Sequence, residues 1–263
     1  MLHLLITIFF AIFISVISLK AKFLTNGGII AQFILALLLF GLGGVKWSVP
    51  IVTFFILSSI LSKIRKSKNA EVEKYFEKTG QRDQWQVLAN GGLAGVLVTI
   101  HWIFQSELLY LIYVSSIAAV CSDTWATEIG TMKKAKTISI RNFKPVEQGK
   151  SGGISAPGIL GSVLGAFIIA VSSVSFMGRN YFYLIMAVSI SGIIGSLTDS
   201  IFGDAVQAQF YCGICGKITE HRFHCNRPAE LKNGFAGFNN DAVNFICSCT
   251  GGIFIVFLNS VFR

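Results

Sequence analysis

GIIAQFILALLLFGLGGVKWSVPIVTFFILSSILS, residues 28–62, carries one charge, Lys46, in an otherwise apolar and small-residue stretch. Crossing a bilayer takes about 20 mostly apolar residues. This stretch is long enough for nearly two crossings. It reads as two runs, 28–45 and 47–62, joined by a tight turn around Lys46. Backbone can cross lipid only when its hydrogen bonds close internally, so both runs are expected to be helices.

The same pattern continues outward in both directions. Further apolar runs lie at 2–19, 87–104, 107–122, 153–177, 181–203 and 242–262. The runs at 47–62 and 107–122 are short, which allows tilting, breaks or partial re-entry. The whole chain of 263 residues is 53% hydrophobic and 13% charged, with 23 Phe. A soluble domain carries roughly 25% charged residues. The expected fold is therefore all-α: a polytopic transmembrane helix bundle of about eight spans, one integral membrane domain over 1–263. The first run lacks a basic start and a small-residue cleavage site, so it reads as a retained span and not a signal peptide.

Charge sets the orientation. With the N-terminus outside, four connections face inward: 20–27, 63–86, 123–152 and 204–241. Of the 22 Lys and Arg, all but Lys46, Arg179 and Arg263 then fall inside. That is the distribution the positive-inside rule demands. It also accounts for the net charge of +9 without a nucleic-acid partner. The expected location is the cell membrane, multi-pass, with long cytoplasmic loops. The outer turns are very short, so long inner loops are where function is expected. Composition leaves the oligomeric state open.

Acidic residues beside apolar runs are expensive and need a partner or a role. Three clusters stand out. Ser122-Asp123-Thr124-Trp125-Ala126-Thr127-Glu128 places Asp123 and Thr127 one helical turn apart. Glu128 lies about 140° from Asp123 around a helix, so the two acids converge only if the helix breaks, which Gly130 permits. Thr198-Asp199-Ser200-Ile201-Phe202-Gly203-Asp204 is a weak echo of that pattern. Asn239-Asn240-Asp241 opens the last run. Several carboxylates at one membrane face suit Mg²⁺, which shares its coordination with substrate phosphate oxygens. The plainer alternative is helix capping by Asp, Asn and Ser.

Gly149-Lys150-Ser151-Gly152-Gly153 precedes the sixth run. Small residues before a helix start let backbone N–H groups reach an anion. The order is not that of a P-loop. The basic residues upstream, Lys144 among them, fit a phosphate site, although the inward-facing topology requires basic residues there anyway. Asn90-Gly91-Gly92 opens the fourth run, and is equally compatible with substrate contact or close helix packing. In the loop 204–241, Cys212, Cys215, His221, His224 and Cys225 have the spacing of a tetrahedral Zn²⁺ site. His224 and Cys225 are adjacent, so the expected ligands are Cys212, Cys215, His221 and Cys225. Such a zinc would be structural, pinning a loop without other secondary structure.

SDTWATEIG (122–130), GKSGGIS (149–155), GSLTDSIFGDAVQ (195–207), the Cys/His loop and NNDAVNF (239–245) follow one another in this order. The series resembles the membrane family of transmembrane protein 19 and the phytyl-phosphate kinases, long catalogued as domain of unknown function ninety-two. The resemblance implies phosphoryl transfer from a nucleoside triphosphate, CTP favoured, to a prenyl monophosphate. On that reading Asp123, Glu128, Asp199, Asp204 and Asp241 hold Mg²⁺, and Asp123, Glu128 and Lys150 are catalytic. Asn90, Lys144, Gly149, Gly152, Gly153 and Asn240 contact substrate or nucleotide. The partners are the bilayer, a prenyl phosphate and the triphosphate. Two other expectations compete: a cytidylyltransferase acting on a lipid phosphate, which needs the same groups, and a membrane transporter. A transporter is expected to carry such residues at mid-span, whereas these lie at span ends.

Overall fold

A computed structural model describes residues 2–69, 80–177 and 181–261. Among the described residues, seven helices are long and apolar enough to cross a membrane. They are α1 (Leu2–Lys20), α2 (Asn26–Lys68), α3 (Gln84–Phe104), α4 (Glu107–Gly130), α5 (Ala156–Ser173), α6 (Tyr181–Ala205) and α7 (Asn240–Val261). The expected turn at Gly178–Asn180, and Lys74, Lys78 and Arg263 of the charge pattern, lie outside the described residues.

α2 reconciles seven helices with eight runs. Its 43 residues would reach about 65 Å if straight, twice a hydrocarbon core of about 30 Å. It is not straight. Gly44 has φ 64° and ψ −155°, a conformation that glycine alone adopts freely. The break makes two arms, 26–43 and 45–68, which run back on each other. Both ends of α2 accordingly meet the same segment: Thr25 N donates to Arg82 O at 3.0 Å, and Lys66 Nζ donates to Gly80 O at 2.9 Å. The two runs expected to be short are complete helices here, because each extends past its apolar core into a polar end.

The turn is clamped by aromatic residues. Trp47, just past Gly44, stacks on Tyr113 with centroids 4.6 Å apart. The Tyr113 hydroxyl donates to Trp47 O at 2.5 Å. Lys46 pairs with Glu107 at 2.6 Å, which ties this turn to the one joining α3 and α4.

α4 is the central helix. Tyr113, Val114, Ile117, Ala118, Ala119 and Cys121 are fully buried. Its closest neighbour, α5, approaches through Gly161 and Gly165. A Cβ on either would stand 2.4 Å from Trp125 O or 2.7 Å from Cys121 O. Small residues four apart let helix backbones come this close in lipid, where packing and not the hydrophobic effect drives association. Ser122 and Ser162 close the contact with a 2.7 Å hydrogen bond.

The described parts of four connections gather on one face of the bundle, three of them tied to one another by side chains. Asn69 Nδ2 donates to Thr131 O at 2.8 Å. Ser151 Oγ donates to Gln207 Oε1 at 2.7 Å. Ser139 Oγ donates to Asp204 Oδ2 at 2.6 Å. The connection after α4 pairs β1 (Ile138–Ser139) with β2 (Gly153–Ile154). The loop expected to lack regular structure has some: β3 (Gln209–Tyr211) lies between β4 (Ile218–Thr219) and β7 (Glu230–Asn233). A small hairpin of β5 (Phe223–His224) and β6 (Arg227–Pro228) projects from it.

Candidate functional site

A cavity of about 480 Å³ opens among these connections. Its floor is the ends of α4 and α6, and its walls are the glycine loop before α5, the start of α3 and the last turns of α2. Asp123 and Asp199 both line the floor, close enough that each feels the other's charge. They are the first acids of the two echoed motifs. Asp199 Oδ2 is buried without a hydrogen-bond partner. Two carboxylates cannot meet this way unless a proton or a cation lies between them.

Glu128 has a different fate. α4 stays helical through Gly130, so Glu128 cannot turn to join Asp123. Arg65 of α2 pairs with it at 2.7 Å, and both side chains are nearly fully buried. The Ser62 hydroxyl donates to the other carboxylate oxygen. Glu128 therefore lines the cavity as a neutralised strut between α2 and α4. Asp204 is likewise occupied. It accepts from Ser139, lies 3.8 Å from Arg141 Nε, and is outside the cavity lining.

The glycine loop docks on the end of α6. Gly152 has φ 75°, and a Cβ there would meet Asp204 N and Ser200 O at 2.8 Å. Gln148 Nε2 anchors the loop by donating to Gly130 O and Lys133 O, at 2.8 and 2.7 Å. Gly149, Lys150, Ser151, Gly152 and Gly153 all line the cavity, followed by the start of α5, where Ser155 caps Gly158 N at 3.3 Å. Backbone N–H groups and a helix start on one wall favour an anion. Asn90 and Asn240 also line the cavity, and Asn90 Oδ1 is buried without a partner.

Lys144 is exposed and outside the cavity, as Asp241 is outside it in the first turn of α7. The cations that do reach the cavity include Lys66 and Arg82, which no sequence motif marks. Burial lowers the Arg82 pKa, opposed by the nearby charge of Glu128, yet a guanidinium remains charged at neutral pH. Glu220, just after β4, also lines the cavity within electrostatic reach of Asp199. Asn239, part of the third acidic cluster, is a plain helix cap: its Oδ1 accepts from Ala242 N at 3.2 Å.

A second cavity, about 340 Å³, shares Gly149, Lys150, Ser151 and Glu220 with the first and continues along Gly216–Thr219. That strip follows directly on the cysteine cluster. Cys212, Cys215, His224 and Cys225 have ligand atoms all within 4.8 Å of one another. His221, the expected ligand, is not in the set; His224 takes its place. The reason is the turn. Cys225 and Asn226 have φ of 52° and 59° between paired residues His224 and Arg227, the geometry of a type I′ hairpin. It brings His224 Nδ1 to 3.5 Å from Cys215 Sγ and 3.4 Å from Cys225 Sγ, so adjacent residues reach one point. Hydrogen bonds from the Cys215 backbone and from His224 lower the Cys212 thiol to about 6, which suits a thiolate ligand.

The architecture defines a multi-pass helical membrane protein with a polar, partly charged cavity at one face of its bundle. More narrowly, the chain belongs to the family of integral membrane protein DUF92, whose model matches residues 9–252. Protein PGR of Arabidopsis thaliana is 30% identical, over 87% of this chain and 86% of that protein. The uncharacterized membrane protein MJ0933 of Methanocaldococcus jannaschii is 31% identical, over 89% and 85%. Protein VTE6, chloroplastic, of Arabidopsis thaliana is 25% identical, over 89% and 65%. No solved structure matches the chain.

Proposed function

We propose that the protein is a membrane-embedded prenyl monophosphate kinase. It transfers the terminal phosphoryl group of a nucleoside triphosphate, CTP favoured, to a prenyl phosphate. The observation that carries this is the facing pair Asp123 and Asp199, opposite a glycine loop and the cations Lys150, Lys66 and Arg82. Phosphoryl transfer needs little besides positioning and charge neutralisation. Substrate specificity and donor rest on the family resemblance.

The donor set fits a divalent cation: two hard carboxylates, one with a buried oxygen lacking a partner. Asp123 and Asp199 would hold Mg²⁺, which would neutralise and orient the donor's phosphate oxygens. Lys150 and the glycine loop bind the triphosphate tail from the opposite wall. The outer cavity along Gly216–Thr219 receives the nucleoside. Arg82 and Asn90 receive the acceptor phosphate. An acceptor oxygen attacks the γ-phosphorus; that P–O bond forms as the bond to the β,γ-bridging oxygen breaks, and the nucleoside diphosphate leaves with the electron pair. The attacking oxygen is already anionic, so no general base is required. Glu128 positions α4 through Arg65 without touching substrate.

Cys212, Cys215, His224 and Cys225 would hold a structural Zn²⁺, using all four tetrahedral positions. It would stiffen the wall of the outer cavity. The basic connections support a cytoplasmic position for this face under the positive-inside rule.

The test uses purified protein in detergent with Mg²⁺, CTP labelled at the γ or the α phosphate, and a series of prenyl monophosphates. Label from the γ position in a prenyl diphosphate, abolished in Asp123→Asn, is the expected result. Label from the α position joined to the lipid, with pyrophosphate released, would make the protein a cytidylyltransferase. No turnover by folded protein would turn the reading toward transport.

A further inference from the structure

Beside the polar cavity lies a smaller cleft of about 80 Å³ between α1, the two arms of α2 and the start of α3. Its walls are almost wholly apolar, with Leu35, Leu39, Ile51 and Phe54 among them. Arg82, Gln86 and Asn90 line both spaces, so the cleft and the cavity meet at those three residues. Arg82 marks the boundary: its guanidinium lies 5.8 Å from the Phe54 ring centroid, on an apolar wall, while the residue also faces the polar side. Asn90 brings an unpartnered buried oxygen to the same junction. At the other end, Ile14, Phe40 and Phe55 are partly exposed on helices that face lipid.

A ligand matched to this shape has an anionic head, a short apolar neck and a tail that leaves sideways into the bilayer. Resting on the kinase reading, we propose that the cleft seats the first isoprene units of the acceptor lipid, with its phosphate at the Arg82–Asn90 junction. The acceptor thus enters laterally from the membrane between α1 and the α2 hairpin, and the nucleotide enters from water past Gly216–Thr219. The cleft is far below the ~300 Å³ of a pocket that encloses a whole small ligand. It therefore grips only the chain next to the headgroup, and the remaining units lie in lipid. Gly91 on its wall has no room to spare: a Cβ there would stand 3.1 Å from Leu35 Cδ1 and 3.4 Å from Ile51 Cδ1, so a larger residue narrows the cleft from that side.

The experiment is photolabelling of the full-length wild-type protein in nanodiscs. The probe is a prenyl monophosphate carrying a diazirine on its first isoprene unit, with labelled peptides read by mass spectrometry. Label is expected on residues 32–55 and 86–91, competed by unlabelled prenyl phosphate and not by inorganic phosphate. In parallel, Ala36→Phe fills the cleft and raises KM for prenyl phosphates of every chain length about tenfold or more, while KM for the nucleotide changes by less than about twofold. Label confined to other helices, or none above the competed background, overturns the seat. So does an Ala36→Phe variant that folds and leaves KM for the prenyl phosphates unchanged. Label in the cleft without diphosphate product keeps the seat and sinks the kinase reading; diphosphate product with label elsewhere does the reverse.

Discussion

Asp123 and Glu128 stand five residues apart on one helix and line the same cavity, yet their chemistry differs. Glu128 meets Arg65 at 2.7 Å, with Ser62 on its second oxygen. Its charge is answered inside the protein. Asp123 lies beside another acid, Asp199, and has no basic side chain paired with it among the described residues. A buried carboxylate that has its counter-charge built in holds the fold, and one that faces its own kind is the candidate for a functional role.

The sharpest break between the two is expected from Asp123→Asn. Turnover should fall by about 10² or more, the scale seen when one transition-state charge contact is lost. The melting temperature should hold or rise, because the change removes repulsion from Asp199. Glu128→Ala should do the opposite. Removing one partner of a buried pair costs about 3–5 kcal/mol, so the protein should melt early, and its residual activity should follow the folded fraction. Adding Arg65→Met to Glu128→Ala should recover much of that stability, which a double-mutant cycle of melting temperatures would read out.

Smaller effects sharpen the picture at the cavity rim. Lys150→Ala should raise KM for the nucleotide about tenfold to a hundredfold, as expected for one charged hydrogen bond worth roughly 1.5–3 kcal/mol. Lys144→Ala, exposed and outside the cavity, should change KM by less than about twofold. At the cysteine cluster, His224→Ala should lose zinc while His221→Ala keeps it, as measured by elemental analysis of purified protein. Retention of zinc by His224→Ala and its loss from His221→Ala would reverse the ligand assignment.

The spans were legible because lipid imposes one rule on every crossing segment, and the sequence obeys it in long, uncharged runs. Even the break in α2 shows as Gly43-Gly44 beside Lys46 and Trp47. The acids of the site were legible as anomalies, but their partners were not. Which carboxylate meets which depends on how α2, α4 and α6 pack, and no local pattern encodes that. Arg65 was hidden by its company: it sits in a basic segment that topology alone explains, so nothing marked it as the one that turns inward. Asp204 looked like Asp199's twin, and only the docking of β1 shows that Ser139 occupies it. His221 was preferred over His224 on the ground that neighbours rarely share a metal. The signal that could have corrected this is Asn226, a residue that tolerates positive φ and so permits the I′ turn. Arg82 was visible only as a charge before a helix, and Glu220 carried no signal at all.

The facing pair is the centre of this account, and Mn²⁺ in place of Mg²⁺ tests it directly. Mn²⁺ binding to the purified protein would be titrated by electron paramagnetic resonance, with nucleotide present, in wild type, Asp123→Asn, Asp199→Asn and Glu128→Gln. The account predicts one tight site in wild type, lost or weakened at least about tenfold in each Asp variant, and kept in whatever Glu128→Gln protein remains folded. Binding that survives both Asp changes and disappears with Glu128→Gln would contradict it, and would make the buried pair with Arg65 the reactive centre instead.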